Sequence, residues 1–478
     1  MFFLAMTLGP RPYYWPNTKE ISFGNSPPLA TRAGYMALAC MPFLFILGAK
    51  ANPISAVTGI SHEKLNVWHN WVAWAMFALA LVHTFPFIIF HMWKGDIVEQ
   101  WNDGGMWVTG VIALLAQAWL TFMSIRWIRE RYYEFFKATH ILAAAVFFIF
   151  FFIHCDFRLT SWDYFIATAV LYALCFFYTQ FKTYMEHGVN HARLSLITPH
   201  CLKVIIETNA SWTPGQHVYL RFMACGLHAL TAHPFTICSV PQHGKRNQMI
   251  FYIQPKGGVT ARLAKIAEKS PDIAIPVLLD GPYGGVTNRW FGGFDRTLVL
   301  AGGSGAGFSL PMIESFLESK MEKRAGSELQ VVVATRDPGF REWYSRALDD
   351  ITERHHESGK EKTSTVSAHL YETVSSATNT STSLDPEYSS HQDEKGVPGR
   401  LDSVSAGGLI DFQCFSGRPD IVSIAQRITE GSGSAGMVVC GPSSMTFDLG
   451  KAAAVAQEHI LGGKAGASEV WFHKESFS

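Results

Sequence analysis

Three features are scarce in this 478-residue chain: charged residues, paired cysteines and basic runs. Only 16% of the residues are charged, and 39 Lys and Arg balance 39 Asp and Glu, so the formal net charge is zero. With no basic run longer than RWIRER at 126–131, the chain offers no electrostatic basis for nucleic-acid binding. The eight cysteines include no CxxC pair, which argues against a disulfide scaffold or a structural zinc site.

Apolar residues, by contrast, are abundant and unevenly distributed. They make up 48% of the chain, with a dense apolar stretch up to about residue 182 and an ordinary soluble mixture after it. Five segments are long enough to span a bilayer. They lie at about 30–49, 67–90, 105–125, 133–154 and 161–182. The sequence therefore predicts an integral membrane protein, with a transmembrane domain at 30–182 and a soluble tail.

Loop charges predict the orientation, because Lys and Arg collect on the cytoplasmic side of a membrane. Residues 126–137 carry three arginines and a lysine, whereas residues 156–163 carry one arginine against two aspartates. We therefore expect the soluble half to be cytoplasmic and residues 1–29 to be extracytoplasmic. The opening MFFLAM is too short for a spanning helix or a signal peptide and resembles the end of one, so we expect the chain to be an N-terminally shortened form.

Two of the apolar segments each carry a pair of histidines fourteen positions apart: His69 with His83, and His140 with His154. On a helix this interval puts both imidazoles on one face, roughly 21 Å apart. One such histidine is most simply a buried polar residue bonded to a neighbouring helix. Four in a repeated pattern predict a function, because ionisable residues in a bilayer are costly and histidine is an axial ligand of haem iron. The predicted orientation puts His69 level with His140, and His83 level with His154.

The soluble half divides into two sequence patterns. Short β-branched strands such as LKVIIET and HVYLRF predict an antiparallel β-barrel at 190–292. From 295 to 478 the order strand, glycine loop, helix, strand predicts a doubly wound α/β domain. Within it, the Ser- and Thr-rich residues 354–407 have too little apolar content to pack, so we expect a disordered insertion there.

The second pattern contains signals for nucleotide binding. A loop with four glycines, 302–307, follows an apolar strand and precedes a helix, which lets a backbone approach a pyrophosphate. Thr335 and Arg336 end the next strand, where a 2′-phosphate would be met; the alternative is that Arg336 is a surface cation in a solvated loop. Cys440 and Gly441 end a later strand, and a lone cysteine there is more often a core residue.

The chain resembles the fungal ferric and cupric reductases of the superfamily that also contains the NADPH oxidases. The resemblance covers nearly the whole chain. The matching strings are NPISAVTGISHEKLNVWHNW, the two histidine intervals, WTPGQHVYLRF, HPFTICS, IQPKGGVTARL, DGPYGG, AGGSGAGFSLPM, GRPD, VVCGPSS and KESFS. This resemblance implies a haem-bearing membrane domain joined to a ferredoxin-reductase-like module, with an antiparallel FAD barrel and an α/β NADPH domain.

The resemblance also implies roles for individual residues. The four histidines would be axial ligands of two b-type haems. Phe235 would lie against the flavin ring, with Thr236 within hydrogen-bonding reach of it and His233 toward the ribityl or phosphate region. Residues 257–260 would meet the FAD pyrophosphate, residues 302–307 and Arg336 would bind NADPH, and Cys440 would approach the nicotinamide. The full set of expected cofactor-binding residues is His217, His233, Pro234, Phe235, Thr236, Gly257, Gly258, Val259, Thr260, Gly302, Gly303, Ser304, Gly305, Gly307, Thr335, Arg336, Cys440, Gly441 and Pro442.

The activity implied is electron transfer from cytosolic NADPH through FAD and two haems to extracytoplasmic ferric or cupric chelates, with iron or copper uptake proteins as partners. The expected location is the plasma membrane, with a vacuolar membrane compatible with the same topology. A superoxide-forming NADPH oxidase and a catalytically impaired regulatory subunit are the alternatives. The shortened N-terminus and the absence of an aromatic after the terminal SFS favour the regulatory subunit. A further departure from the family, the small residues after the third glycine of the loop, is expected to loosen nucleotide packing.

Overall fold

The computed structural model describes residues 1–14, 26–241, 247–291, 293–323, 327–337, 339–356, 365–373, 400–406, 409–431, 433–464 and 466–475. The chain forms two compact units, one from Met1 to Phe181 and the other from Lys182 to Phe477. Each unit is built from a different kind of secondary structure, as the change in composition near residue 182 predicts.

The first unit is helical. Its described helices are α1 Phe2–Leu8, α2 Pro28–Gly48, α3 Pro53–Thr58, α4 His62–Lys94, α5 Ile97–Asn102, α6 Gly105–Phe122, α7 Arg126–Arg131, α8 Tyr133–Cys155 and α9 Ser161–Phe181. Helices α2, α4, α6, α8 and α9 are long and apolar enough to cross a membrane. These five confirm the five predicted spans.

The five long helices form a closed ring. Helix α4 packs between α2 and α6, and α8 packs between α6 and α9, which returns to α2. Small and sulfur-containing side chains such as Ala33, Ala37 and Met41 are buried on the inside of this ring. Large apolar side chains on the outside stay exposed, Leu142 and Ile149 of α8 among them. An apolar outer face is what a lipid environment requires.

The second unit begins with a six-stranded antiparallel barrel. Its elements are β1 Val189–Thr198, β2 Cys201–Thr208, β3 Gln216–Phe222, β4 His233–Thr236, β5 Asn247–Ile253, α10 Gly258–Lys269 and β6 Ile273–Gly284. The strand order is β4-β3-β6-β1-β2-β5. The two edges meet where the amide of Cys238, just after β4, donates to the carbonyl of Ile250 in β5 at 2.8 Å. This confirms the predicted antiparallel barrel.

The rest of the second unit is a doubly wound sheet. Its elements are α11 Asn288–Phe291, β7 Arg296–Gly302, α12 Ser309–Lys323, β8 Glu328–Thr335, α13 Phe340–His356, β9 Thr365–Glu372, β10 Arg400–Ala406, β11 Ile410–Ser416, α14 Ile421–Thr429, β12 Ser434–Cys440, α15 Ser443–Leu461 and β13 Glu469–Glu475. The order is β10-β11-β9-β8-β7-β12-β13, parallel except for β10. The order reverses between β7 and β12, and folds of this type bind ligands at such a point.

The predicted disordered insertion at 354–407 is wrong in part. Helix α13 continues to His356, and β9 lies inside the sheet, paired with β8 on one side and β11 on the other. In β9, Val366, Ala368 and Leu370 alternate with polar residues and are buried. The polar composition of the surrounding tract concealed this short period-two pattern. Strand β10, Arg400–Ala406, also lies within the predicted insertion and pairs with β11. Residues 357–364, 374–399 and 407 lie outside the described residues.

Candidate functional site

Two of the four predicted ligands, His83 of α4 and His154 of α8, face each other inside the helical unit. Their ring centroids are 5.9 Å apart and the ring planes cross at 86°. An imidazole nitrogen binds a metal at about 2 Å, so two rings at this separation leave room for one metal ion between them. His69 and His140 lie fourteen residues before them on the same two helices.

The Nδ1 atoms of three of these histidines are bonded to backbone carbonyls on a neighbouring helix. An Nδ1–H that donates to a carbonyl leaves Nε2 with its lone pair free, which is the arrangement of a histidine that ligates a metal. The pairs are His69 with Leu44 at 2.8 Å, His83 with Ala30 at 2.9 Å and His154 with Met106 at 2.7 Å. This donor set fits axial ligation of haem iron.

Glycines on the neighbouring helices make these close approaches possible. A Cβ atom added to Gly34 would lie 2.6 Å from Nδ1 of His83, and one added to Gly110 would lie 2.7 Å from Nδ1 of His154. At Gly48 a Cβ atom would lie 3.2 Å from its histidine. Our sequence reasoning missed these residues, although Gly34 and Gly48 are also fourteen positions apart.

The fourth histidine, His140, has a different partner. Its Nδ1 lies 3.3 Å from Oγ of Ser124, which follows the end of α6. The Ser124 hydroxyl donates to the carbonyl of Leu120 at 2.5 Å. Ser124 is fourteen positions after Gly110, as Gly48 is after Gly34, and it lies two residues past the end of α6.

In the barrel, β4 carries the HPFT string expected to meet a flavin. It pairs with β3 so that Thr236 lies opposite His217. The Thr236 hydroxyl oxygen is buried and has no hydrogen-bond partner among the described residues. A buried polar atom without a partner is costly, so a ligand that bonds to it would be favoured. The Phe235 ring packs against the barrel core, 6.3 Å from that of Phe222.

The other predicted residues of this region lie around the same strands. Pro234 pairs with Tyr219, and Nε2 of His233 lies 3.0 Å from Oγ1 of Thr231. His217 is buried with its ring 6.4 Å from that of Tyr283. The structure therefore gathers residues of the WTPGQHVYLRF, HPFTICS and DGPYGG strings at one end of the barrel, as a shared binding site requires.

The 257–260 segment forms the start of α10. Gly258 has φ +52, in the left-handed region that favours glycine. The Thr260 hydroxyl donates to the carbonyl of Gly257 at 2.9 Å and accepts from the amide of Lys256 at 3.1 Å. Val259 is buried in the barrel core. In this structure the Thr260 hydroxyl therefore caps the helix, and contact with a pyrophosphate remains a prediction for the backbone of this segment.

The glycine loop 302–307 lies at the switch point between β7 and β12, and its glycines differ in role. A Cβ atom on Gly305 would lie 2.4 Å from the Cys440 carbonyl, and one on Gly307 would lie 2.5 Å from Sγ of Cys238. Gly302 and Gly441 are similarly close to the Met445 side chain, and Gly302 also to Pro442. These glycines allow close packing of the loop.

Gly303 differs from its neighbours in the loop. It is exposed, has φ +55 and would meet nothing within 4 Å. Among the loop glycines it is therefore the open one that a phosphate could approach. The side chain of Ser304, also predicted to bind, lies outside the described part of the structure.

Cys440 is completely buried beneath this loop. Burial raises the pKa of its thiol well above the ordinary value, and it raises the pKa of the nearby Cys238 to about 12. Both thiols are therefore neutral and unreactive at physiological pH. The predicted approach of Cys440 to a nicotinamide remains a prediction, and in this structure the loop covers the thiol.

Thr335 and Arg336 lie at the carboxyl end of β8, next to the loop. The buried Thr335 hydroxyl accepts from the amide of Asp337 at 3.1 Å, which fixes the turn. Arg336 is exposed at this edge. A guanidinium at the end of the second strand suits a 2′-phosphate, and the structure leaves that part of the prediction open.

Comparison with protein families divides the chain into three parts. Residues 33–151 match the ferric reductase like transmembrane component, residues 186–287 an FAD-binding domain, and residues 294–454 the ferric reductase NAD binding domain. The chain is thus an integral membrane protein that carries an FAD-binding and an NAD-binding domain.

Curated relatives of the chain include fungal metal reductases. The chain is 31% identical over 369 residues to the probable cell surface ferric reductase kap2 of Aspergillus oryzae, covering 73% of this chain and 48% of the relative. It is 31% identical over 328 residues to ferric/cupric reductase transmembrane component 7 of Saccharomyces cerevisiae, covering 66% of this chain and 50% of the relative. The chain spans about half the length of these relatives.

Among solved structures, a ferredoxin NADP+ reductase from Neisseria gonorrhoeae with bound FAD and NADP matches 60% of this chain and 98% of its own length. The match has a TM-score of 0.37 and 13% identity.

Proposed function

The chain belongs to the ferric reductase family, and we propose that it is an NADPH-dependent transmembrane reductase of ferric or cupric chelates. One observation carries the proposal: His83 and His154 face each other with their Nδ1 atoms already bonded. A chain that also carries FAD- and NAD-binding domains has the parts for moving electrons from a nicotinamide to a membrane haem.

The membrane residues would hold two haem groups at two levels. His69 with His140 would form the level nearer the cytoplasm, and His83 with His154 the outer level. Their carbonyl and hydroxyl partners at Nδ1 would orient the rings and leave Nε2 free to bind the iron. Loop charges support this direction, since residues 126–137 carry the excess of basic residues expected inside. The relative described as a cell surface reductase favours the plasma membrane over a vacuolar one.

The soluble residues would bind and align the two nucleotides. Bound NADPH, FAD and haem supply hydride and single-electron transfer, while the protein sets their positions. Thr236 would donate or accept a hydrogen bond at the flavin ring, and Gly303 would admit a phosphate to the switch point. Arg336 would pair with the 2′-phosphate and so favour NADPH over NADH.

The test is His83→Ala in the full chain in membranes, with His62→Ala on the same helix as the matched control. Removing the outer ligand should lower the rate of reduction of a membrane-impermeant ferric chelate more than tenfold, whereas His62→Ala should leave this rate unchanged. NADPH-dependent reduction of a soluble dye that takes electrons from the flavin should stay at the level of the unmodified protein. Normal chelate reduction by His83→Ala would refute the proposed route. Inhibition of chelate reduction by superoxide dismutase would instead identify a superoxide-forming oxidase.

A further inference from the structure

The four histidines contact four positions spaced alike, two on α2 and two on α6 with the turn that follows it, and one of the four positions differs. Helix α2 presents Gly34 and Gly48 to α4. The α6 segment presents Gly110 and then Ser124 to α8. Both pairs have the same fourteen-residue interval as the histidines, so the ligand helices and their partners repeat together.

At the three glycine positions the histidine reaches a backbone carbonyl four residues earlier. These carbonyls belong to Ala30, Leu44 and Met106, and the bonds measure 2.7 to 2.9 Å. At the fourth position the equivalent carbonyl is that of Leu120. It accepts from the Ser124 hydroxyl instead, and this hydroxyl lies between the carbonyl and Nδ1 of His140.

The Cβ atom of serine explains the difference. At Gly110 a Cβ atom would lie 2.7 Å from the His154 ring, closer than such atoms approach one another. At position 124 that Cβ atom is present, and Nδ1 of His140 meets the serine hydroxyl in place of the Leu120 carbonyl. Because the hydroxyl hydrogen is used on Leu120, the oxygen faces Nδ1 as an acceptor. The Nδ1 therefore carries the proton, as in the other three histidines.

This acceptor is the weakest of the four. Its 3.3 Å separation from Nδ1 exceeds the ordinary range for an N–H···O bond, and it is a hydroxyl where the other three are peptide carbonyls. A stronger acceptor at Nδ1 makes an imidazole a more basic ligand, and second-shell bonds of this kind tune haem potentials. A weaker acceptor stabilises ferric iron less.

We infer that Ser124 is a positioning residue that raises the potential of the haem held by His140 above the value a direct carbonyl bond would give. The two haem levels are then chemically unlike, even though each has two histidine ligands. The inference rests on the proposed haem ligation, and it concerns the level that His69 and His140 would share.

The experiment is a potentiometric titration of the purified full chain, followed by reduced-minus-oxidised absorbance. In Ser124→Gly, His140 can reach the Leu120 carbonyl, so one of the two haem transitions should move to lower potential. In Ser124→Ala no acceptor remains, so the same transition should move to higher potential. Ser124→Thr keeps the hydroxyl and should restore the original value.

Thr121→Val is the matched control. Thr121 is buried one turn earlier and its hydroxyl donates to the Gln117 carbonyl at 2.9 Å, so its loss should move neither transition. Shifts of the same sign in Ser124→Gly and Ser124→Ala, unmoved transitions in both, or an equal shift in Thr121→Val would each overturn the inference. A protein without b-type haem bands would overturn the proposed haem ligation itself.

Discussion

Alanine at Gly34 tests the packing that positions the outer histidine pair. The added Cβ atom would lie 2.6 Å from Nδ1 of His83, where heavy atoms ordinarily stay about 3.5 Å apart. The ring must therefore move by about 1 Å, which breaks its 2.9 Å bond to the Ala30 carbonyl. A lost hydrogen bond costs about 1 kcal/mol and overpacking costs about 1–3 kcal/mol, so we expect the free energy of unfolding to fall by about 2–4 kcal/mol.

Gly48→Ala on the same helix is the graded comparison. Its Cβ atom would lie 3.2 Å from Nδ1 of His69, so the ring needs to yield by only a few tenths of an ångström. We expect the free energy of unfolding to fall by less than about 1 kcal/mol, and both proposed haems to be retained.

The assay measures haem per protein from reduced-minus-oxidised spectra and thermal unfolding in detergent. Gly34→Ala should lose haem from one level and unfold several degrees lower, whereas Gly48→Ala should stay near the unmodified protein. Gly110→Ala, whose Cβ atom would lie 2.7 Å from His154, should behave like Gly34→Ala. Indistinguishable haem content and unfolding in all three variants would refute the packing argument.

Two further predictions concern the soluble unit. Thr236→Val removes a buried hydroxyl that has no partner among the described residues, so the FAD-free protein should be as stable as the unmodified protein or more stable. In a fluorescence titration, FAD should bind this variant about five- to tenfold more weakly. An unchanged FAD affinity would contradict the assigned role. Gly307→Ala places a Cβ atom 2.5 Å from Sγ of Cys238 and should lower the free energy of unfolding by about 1–3 kcal/mol. Adding Cys238→Ala removes the sulfur atom, so the double variant should regain part of this stability. Strictly additive shifts of the unfolding temperature would count against the contact.

Periodicity explains which parts of this molecule were predictable. The spans and the histidine pairs follow from apolar length and from one repeated interval, and the barrel and doubly wound sheet follow from strand patterns. Strand β9 was missed because its buried residues Val366, Ala368, Leu370 and Tyr371 stand in a Ser- and Thr-rich tract, where composition outweighs a pattern of eight residues. Gly34, Gly48 and Gly110 were missed because a glycine in an apolar helix carries no signal of what it touches.

In the loop 302–307, the sequence does not show which glycines are needed for packing and which for access of a phosphate. A glycine-rich loop between strand and helix was predicted to let a phosphate approach, and Gly303 remains open to do so. Gly305 and Gly307 are instead required by Cys440 and Cys238, which press against the loop from β12 and from the segment after β4. No spacing rule separates the two uses, because both follow from the absence of a side chain.

The glycine and serine positions also explain how the histidines are oriented within the helical unit. Helix α4 takes its orientation from α2, and α8 from α6, through bonds between Nδ1 and the partner helix. Each ligand helix with its partner is therefore one half of the proposed haem site. Facing imidazoles then require only that the two halves meet, which is how His83 and His154 come to lie 5.9 Å apart. Because Ser124 contacts His140, fourteen residues from His154 on the same helix, its substitution should change the proposed haem of the His69 and His140 level without disturbing the other.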